Sequence, residues 1–192
     1  MLKSKTDSIF GKISSSGLRW FWLTIIFFIL DQVSKQYAVE HLFLGERINL
    51  LPIFDFTLRY NTGAAFSLFA DQDGWQVYFF TSISILVGGG LIYWLYTLPA
   101  KNWWLSISLN LILAGAFGNL YDRIAQGKVT DFILFYYHDW HFPAFNIADS
   151  VIFLGAAMML YDSFVNPETA QSEKSKDGNV KAPEKSESYD KF

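Results

Sequence analysis

The chain contains no cysteine. Disulfides, thiolate nucleophiles and Cys-ligated metals are therefore excluded. Histidine is scarce: His41, His138 and His141 are the only three. No two stand at i, i+4 on a helix, and none pairs with a serine in a recognisable nucleophile turn, so they read as interfacial or loop residues. Charge is also sparse, at 17% of 192 residues, and it is unevenly placed. It crowds into the N-terminal stretch, the loops and the C-terminal tail. No basic stripe carries stacking aromatics, so nucleic acid is not an expected partner. The net charge of -3 is too small to point to any other. No internal repeat is visible.

What the chain has is apolar and aromatic: 52% of residues are hydrophobic and 19% aromatic. Long uncharged runs in that setting indicate a polytopic membrane protein. Four segments reach the roughly 20 residues that a helix needs to span a bilayer. They run from Trp20 to Tyr37, Val77 to Leu98, Trp103 to Tyr121 and Phe145 to Phe164. Trp20, Trp22, Trp75, Trp103 and Trp104 lie near span ends, as interfacial belts require. Lys3, Lys5, Lys12 and Arg19 precede the first span, Lys101 lies between the second and third, and five lysines follow the fourth. The positive-inside rule then places both termini in the cytoplasm. The first span has no A-x-A-like cleavage site, so it is expected to stay uncleaved.

Residues 1–19 are expected to form a cytoplasmic segment, 20–165 a membrane domain and 166–192 a disordered charged tail. The expected fold is an all-α membrane four-helix bundle with a small β-sheet in the first outer loop, about residues 41–70. In that loop Phe54, Phe56, Leu58 and Tyr60 alternate with Asp55, Thr57, Arg59 and Asn61, the pattern of a half-buried strand. The alternation predicts rings toward lipid or helices, with Asp55, Thr57 and Arg59 toward water. Asn61-Thr62-Gly63 reads as a turn, and Ala64 to Phe69 as a returning strand.

The polar residues inside this apolar frame are the candidates for chemistry, because an ionisable group at membrane depth is expensive. Asp31 and Lys35, four apart, share a helix face. The bland reading is a pair that snorkels to the interface and fixes the helix; the functional one is an anchor for substrate or for the catalytic loop. Asn61 is either a turn residue or a side chain aimed at the site. Gly115, Asn119 and Asp122 share a face of the third span, and Ala114 with Gly118 forms a small-xxx-small pair suited to close packing. Asp122 and Arg123 read as a paired or separately bonded structural charge pair, with Arg123 alternatively suited to a lipid phosphate. Asn146 and Asp149 stand at i, i+3, where Asp149 would complement the helix macrodipole on a soluble helix. Beside a membrane, with Asp131 in a nearby loop, a functional role is the stronger reading. Asp139 is the decoy, in a polar loop between His138 and Trp140.

Two adjacent aspartates cannot both ionise comfortably and share a proton. One can then deprotonate water while the other hydrogen-bonds a scissile carbonyl. Which does which belongs to the coupled pair. The blocks Asp31-Gln32-Val33-Ser34-Lys35, Asn61-Thr62-Gly63-Ala64-Ala65-Phe66, Gly118-Asn119-Leu120-Tyr121-Asp122-Arg123, Val129-Thr130-Asp131-Phe132 and Phe145-Asn146-Ile147-Ala148-Asp149 resemble, in order, the signature blocks of bacterial lipoprotein signal peptidase, or signal peptidase II. The resemblance implies an inner-membrane aspartyl endopeptidase that cuts prolipoproteins just before a diacylglyceryl-modified Cys. It places the catalytic dyad on Asp131 and Asp149. Supporting positions fall on Asp31, Lys35, Asn61, Asn119, Asp122, Arg123 and Asn146. Its expected partners are lipid-modified precursor signal peptides and membrane lipids, with no cofactor and no metal, and the protein is expected to be a monomer with its site on the extracytoplasmic side. The competing class is a small ion-coupled transporter or channel with a carboxylate proton carrier. Asp131 in a loop, and the lack of paired broken helices, count against it. A non-enzymatic membrane scaffold would leave the clustered polar residues unexplained.

Overall fold

The computed structural model describes residues 11–63 and 75–165. It contains four long helices: α1 (Phe21–His41), α2 (Trp75–Thr97), α3 (Trp103–Gln126) and α4 (Ile147–Val165). Each belongs to a segment long and apolar enough to cross a membrane. They coincide with the four expected spans, except that α1 continues to His41 and α3 to Gln126. The extension follows from packing. The polar residues that end the apolar runs, such as Asp31, Lys35, Asn119 and Asp122, are buried against one another instead of leaving the helix for water.

Helix α3 is the central one. Of its apolar window 56% is buried within the protein, against 17%, 6% and 17% for the other three segments. Leu109 and Leu113 pack on Leu95 and Leu98 at the end of α2. Leu111 and Ala114 pack on Val151 of α4. Glycines set how closely α3 and α4 approach. A Cβ at Gly115 would run into the carbonyl oxygen of Ala148, and one at Gly155 would lie 2.6 Å from the carbonyl oxygen of Ser108. The Ala114–Gly118 pair of the third span packs as closely: Ala114 meets Val151, and a Cβ at Gly118 would lie 3.2 Å from Ala148 Cβ and 2.5 Å from Asp31 Oδ2. At one end of the molecule a short 3-10 turn (Gly17–Trp20) is tied to the α2–α3 link by Gly17 N–H to Leu98 O at 2.9 Å and Ala100 N–H to Ser15 O at 2.9 Å.

The opposite end carries an antiparallel sheet of four strands: β1 (Arg47–Leu51), β2 (Phe54–Asn61), β3 (Val129–Tyr137) and β4 (Trp140–His141), in that spatial order. Here the structure departs from the sequence expectation. The sheet is not confined to residues 41–70, because β2 pairs with β1 on one side and with β3, far along the chain, on the other. Asp131 therefore lies on a strand, not in a loop. The expected returning strand at 64–69 lies outside the described residues, as do the tail 166–192 and residues 1–10. Asp55 and Thr57, expected to face water, are buried. Asp55 accepts from Asn49 Nδ2 at 3.1 Å, and the Thr57 hydroxyl donates to Glu46 O at 2.6 Å. The reason is that β1 and the chain leading into it cover this face as well. A register shift between Phe56 and Arg59 also breaks the simple alternation. Leu58 is buried with Ala38, Leu42 and Phe132, which fastens the sheet to the end of α1.

Candidate active site

The site forms where the ends of α1, α3 and α4 meet the sheet. Its base is one lysine between two acids. Lys35 Nζ lies 2.7 Å from Asp31 Oδ2 and 3.0 Å from Asp122 Oδ2. Asp31 is fully buried and Lys35 is 3% exposed, so the pair does not snorkel to an interface as the bland reading expected. Nor does it line the cavity described below, which removes a direct anchoring role for substrate. A buried charge survives only when it is paired and hydrogen-bonded, and here the pairing is complete. Gln32 adds its amide, donating to Asp31 Oδ2 at 3.1 Å, Asp122 Oδ1 at 3.1 Å and Gly118 O at 3.3 Å.

Both acids also reach the backbone next to a candidate aspartate. Asp31 Oδ1 accepts from the N–H of Ala148 at 2.8 Å, one residue before Asp149. Asp122 Oδ2 accepts from the N–H of Thr130 at 3.1 Å, one residue before Asp131. Gly127 makes the second contact possible. It ends α3 in the left-handed region at φ 69°, which turns the chain straight into β3.

Asp149 sits in the first turn of α4 in a reciprocal cap. Asn146 Oδ1 accepts from Asp149 N–H at 2.9 Å, while Asp149 Oδ2 accepts from Asn146 N–H at 3.2 Å. This is the capping-box geometry. The helix-end reading of Asp149 is thus realised, but it uses only one oxygen. The other, Oδ1, accepts from Asn119 Nδ2 at 2.8 Å. Asn119 is itself oriented by Lys35, whose Nζ donates to Asn119 Oδ1 at 3.0 Å. Asn146 Nδ2 donates to Asp131 Oδ1 at 2.7 Å, so a single amide joins the surroundings of both aspartates.

Asp131 is 3% exposed. Burial pushes its carboxyl up to about 7, and the neighbouring Asp149 charge adds to the rise. Hydrogen bonds from Asn146 and Asn61 and the Lys35 charge act in the opposite sense. Both readings of Asn61 hold together: its Oδ1 accepts from Gly63 N–H at 2.9 Å in a tight turn, and its side chain also hydrogen-bonds Asp131. Arg123 is bonded separately from Asp122, donating to Asn119 O at 3.3 Å and to Gly63 O at 3.2 Å. It thereby holds the Asn61 turn in place.

Asp131, Asp149, Asn61, Asn119 and Arg123 line one open cavity of about 1250 Å³. Phe135, Phe142, Phe145, Ile152 and Phe153 make its apolar wall. All nine residues singled out in the sequence converge here, in the cavity or directly beneath it. Asp139 does not join them: it is exposed in the β3–β4 turn. Sequence reasoning missed Gln32, and His141, read as an interfacial or loop residue, lies on β4 and lines the cavity. Gln32 stood inside a recognised block, yet it lies off the Asp31–Lys35 face of an isolated helix. Only the approach of α3 brings it into the network.

The sequence and the fold are shared with known proteins. The family model described as signal peptidase (SPase) II matches residues 23–165. A protein named lipoprotein signal peptidase from Shewanella halifaxensis is 47% identical over 163 residues, covering 85% of this chain and 94% of that relative. One of the same name from Pseudoalteromonas translucida is 48% identical over 149 residues, covering 78% and 90%. A solved bacterial membrane enzyme, obtained by the in meso method at 2.3 Å resolution, superposes with a TM-score of 0.65 at 28% identity, covering 84% of this chain and 92% of its own.

Proposed function

The chain belongs to the signal peptidase II family and removes signal peptides from prolipoproteins at the bacterial inner membrane; on that premise we propose that it does so as an aspartyl endopeptidase whose catalytic pair is Asp131 and Asp149. The observation that carries this reading is the shared surroundings of the two carboxylates. They line one cavity, joined by Asn146, with burial favouring the proton on Asp131. In the working state the pair holds one proton. Asp149 takes a proton from the attacking water as the C–O bond forms, and Asp131 donates a hydrogen bond to the carbonyl oxygen as it gains charge. The tetrahedral intermediate then breaks its C–N bond, and the proton passes to the departing amine. Water and amide are consumed, acid and amine appear, and the pair returns to its starting state.

The expected scissile bond precedes a diacylglyceryl-modified Cys, and the apolar wall of the cavity suits a lipid-bearing substrate. The sheet end is assigned to the extracytoplasmic side, with both termini in the cytoplasm, from the distribution of Lys and Arg. A proton-carrier role in a transporter is less well supported, because Asp131 lies on a strand at the end of the helices and not along a span. The direct test is cleavage of a lipidated precursor by the purified full-length protein. Failure to cut such a precursor, by protein that is folded and in a bilayer, overturns the reading.

Two further results are expected of that assay. The shared proton leaves as pH rises through about 7, the value to which Asp131 is pushed. Above it both carboxylates are charged and neither can hydrogen-bond the carbonyl. A pH profile of kcat/KM should therefore fall on the alkaline side around neutrality, and a profile still rising at pH 9 would contradict the shared-proton state. Cleavage should also persist in excess chelator. Among the described residues no three His, Asp or Glu side chains converge as metal ligands do. Loss of activity on chelation, restored by zinc, would replace the aspartyl mechanism with a metal one.

A further inference from the structure

Three guanidinium groups line the cavity that holds Asp131 and Asp149: Arg47, Arg59 and Arg123. None forms an ion pair among the described residues. Arg123 is engaged by the carbonyls of Asn119 and Gly63. The other two have no comparable structural task. The Arg59 guanidinium makes no hydrogen bond or ion pair among the described residues. The Arg47 Nη1 donates to Nε2 of His141 at 2.9 Å, while Nδ1 of His141 donates to Asp139 O at 3.1 Å. A guanidinium can only donate, so Nε2 of His141 is the acceptor in this contact. Arg47 lies on β1 and His141 on β4, the two outermost strands. Their contact therefore bridges the two edge strands at the cavity wall.

A neutral imidazole nitrogen is a weak partner for a guanidinium. A carboxylate offers two oxygens that match its fork, with hydrogen bonds roughly twice as strong as neutral ones. Resting on the signal peptidase reading above, we propose that Arg47, with Arg59 beside it, selects precursors that carry a carboxylate side chain a few residues beyond the cleaved bond. The carboxylate displaces His141 from Arg47 as the precursor seats in the cavity.

The register sets how far from the catalytic pair that carboxylate stands. Arg59 is the direct strand partner of Asp131, and Arg47 is the partner of Thr57. Up to two residue rises, shortened by the register shift between Phe56 and Arg59, and two strand spacings put the Arg47 and Asp131 Cα atoms roughly 10–12 Å apart. An extended peptide covers that span in about four residues. The charge of the catalytic pair is the same in wild type and in variants of Arg47 and Arg59, so it does not account for a difference between them. Direct contact with the guanidinium groups then decides the preference. A phospholipid phosphate is the other source of an anion. Side chains alternate along β1, so Arg47 meets the cavity while exposed Ile48 and Leu50 take the opposite face. That exposed apolar face suits lipid, and the cavity wall suits substrate.

The test uses the full-length enzyme in vesicles of phosphatidylcholine, alone or mixed with phosphatidylglycerol. Precursors lipidated on Cys carry Asp, Asn or Lys at each of the second to fifth positions, counting Cys as the first. At the best position kcat/KM for Asp is expected to exceed that for Lys by about fivefold, carried by KM. Arg47→Lys, which keeps the charge and loses the fork, should retain a smaller preference. In Arg47→Gln with Arg59→Gln the ratio should collapse toward one, and Arg47→Glu should invert it. Equal kcat/KM for Asp and Lys at all four positions overturns the proposal, as does a preference that survives the double substitution. A defect in Arg47→Gln that follows phosphatidylglycerol content and not precursor charge assigns the site to phospholipid phosphate instead. A wild-type enzyme that cuts none of these precursors fails the proposed function itself, a different and separable result.

Discussion

Asp131→Asn and Asp149→Asn are each expected to lower cleavage of a lipidated precursor by roughly 10³-fold or more, while the protein still folds and inserts. The proposed chemistry needs one ionised and one protonated carboxyl, so losing either member removes the working state. The double substitution should then be little worse than either single one, because groups that act as a unit are not additive. Asparagine keeps the size and one oxygen of the side chain. In Asp149→Asn that oxygen can still cap the N-terminus of α4, as Asp149 Oδ2 does for Asn146 N–H. In Asp131→Asn it can still accept from Asn146 Nδ2. Loss of activity without loss of helical signal would therefore report chemistry and not collapse. Asp139→Asn, exposed in the β3–β4 turn, should be nearly silent and serves as the control. Near-normal turnover in either Asp131→Asn or Asp149→Asn would remove that residue from the pair.

Much of this arrangement can be read from the sequence where one physical rule dominates. Lipid tolerates no unpaired charge, so bare runs mark α1 to α4 with little ambiguity. The i, i+3 spacing of Asn146 and Asp149 predicts a shared helix end, and the structure realises it as a reciprocal cap. Legibility fails where two rules compete. Val129 to Tyr137 is rich in β-branched and aromatic residues, which favours a strand. Asp131, read as a functional charge between spans, drew the segment toward loop instead. The partner of β2 is equally hidden. A strand shows its own alternation but not which distant segment pairs with it. Alternation assigns Asp55 and Thr57 to water because polar residues on alternate positions normally face it. Here β1 and its approach cover that face and supply Asn49 and Glu46 O as partners. Asp31 and Lys35 were recognised as a pair, but a one-helix view has no means of adding Asp122 from α3.

That third member makes Lys35 the residue whose loss should reach furthest after the pair itself. Lys35→Met leaves Asp31 and Asp122 buried and facing one another with no cation between them. Breaking a buried pair in this way costs about 3–5 kcal/mol, more than most single substitutions. The consequence for activity follows from where the two acids point. Asp31 holds the backbone beside Asp149, and Asp122 holds the backbone beside Asp131. Lys35 also orients Asn119, the donor to Asp149 Oδ1. One substitution therefore loosens both candidate carboxylates at once, and a misplacement of about 1 Å can cost roughly 10²-fold in rate. Lys35→Met is expected to lose at least that much turnover together with thermal stability. Stability loss alone would not separate a positioning residue from a merely structural one, so the pH profile carries the argument. The Lys35 charge lowers the Asp131 carboxyl, against the larger upward push of burial and of Asp149. Without that charge Asp131 should rise further, and the alkaline fall in kcat/KM should move to higher pH in whatever fraction stays folded. Lys35→Arg, which keeps the cation, should leave the limb where it is in wild type. An unmoved limb in Lys35→Met would mean that Lys35 holds the helices together without acting on the pair.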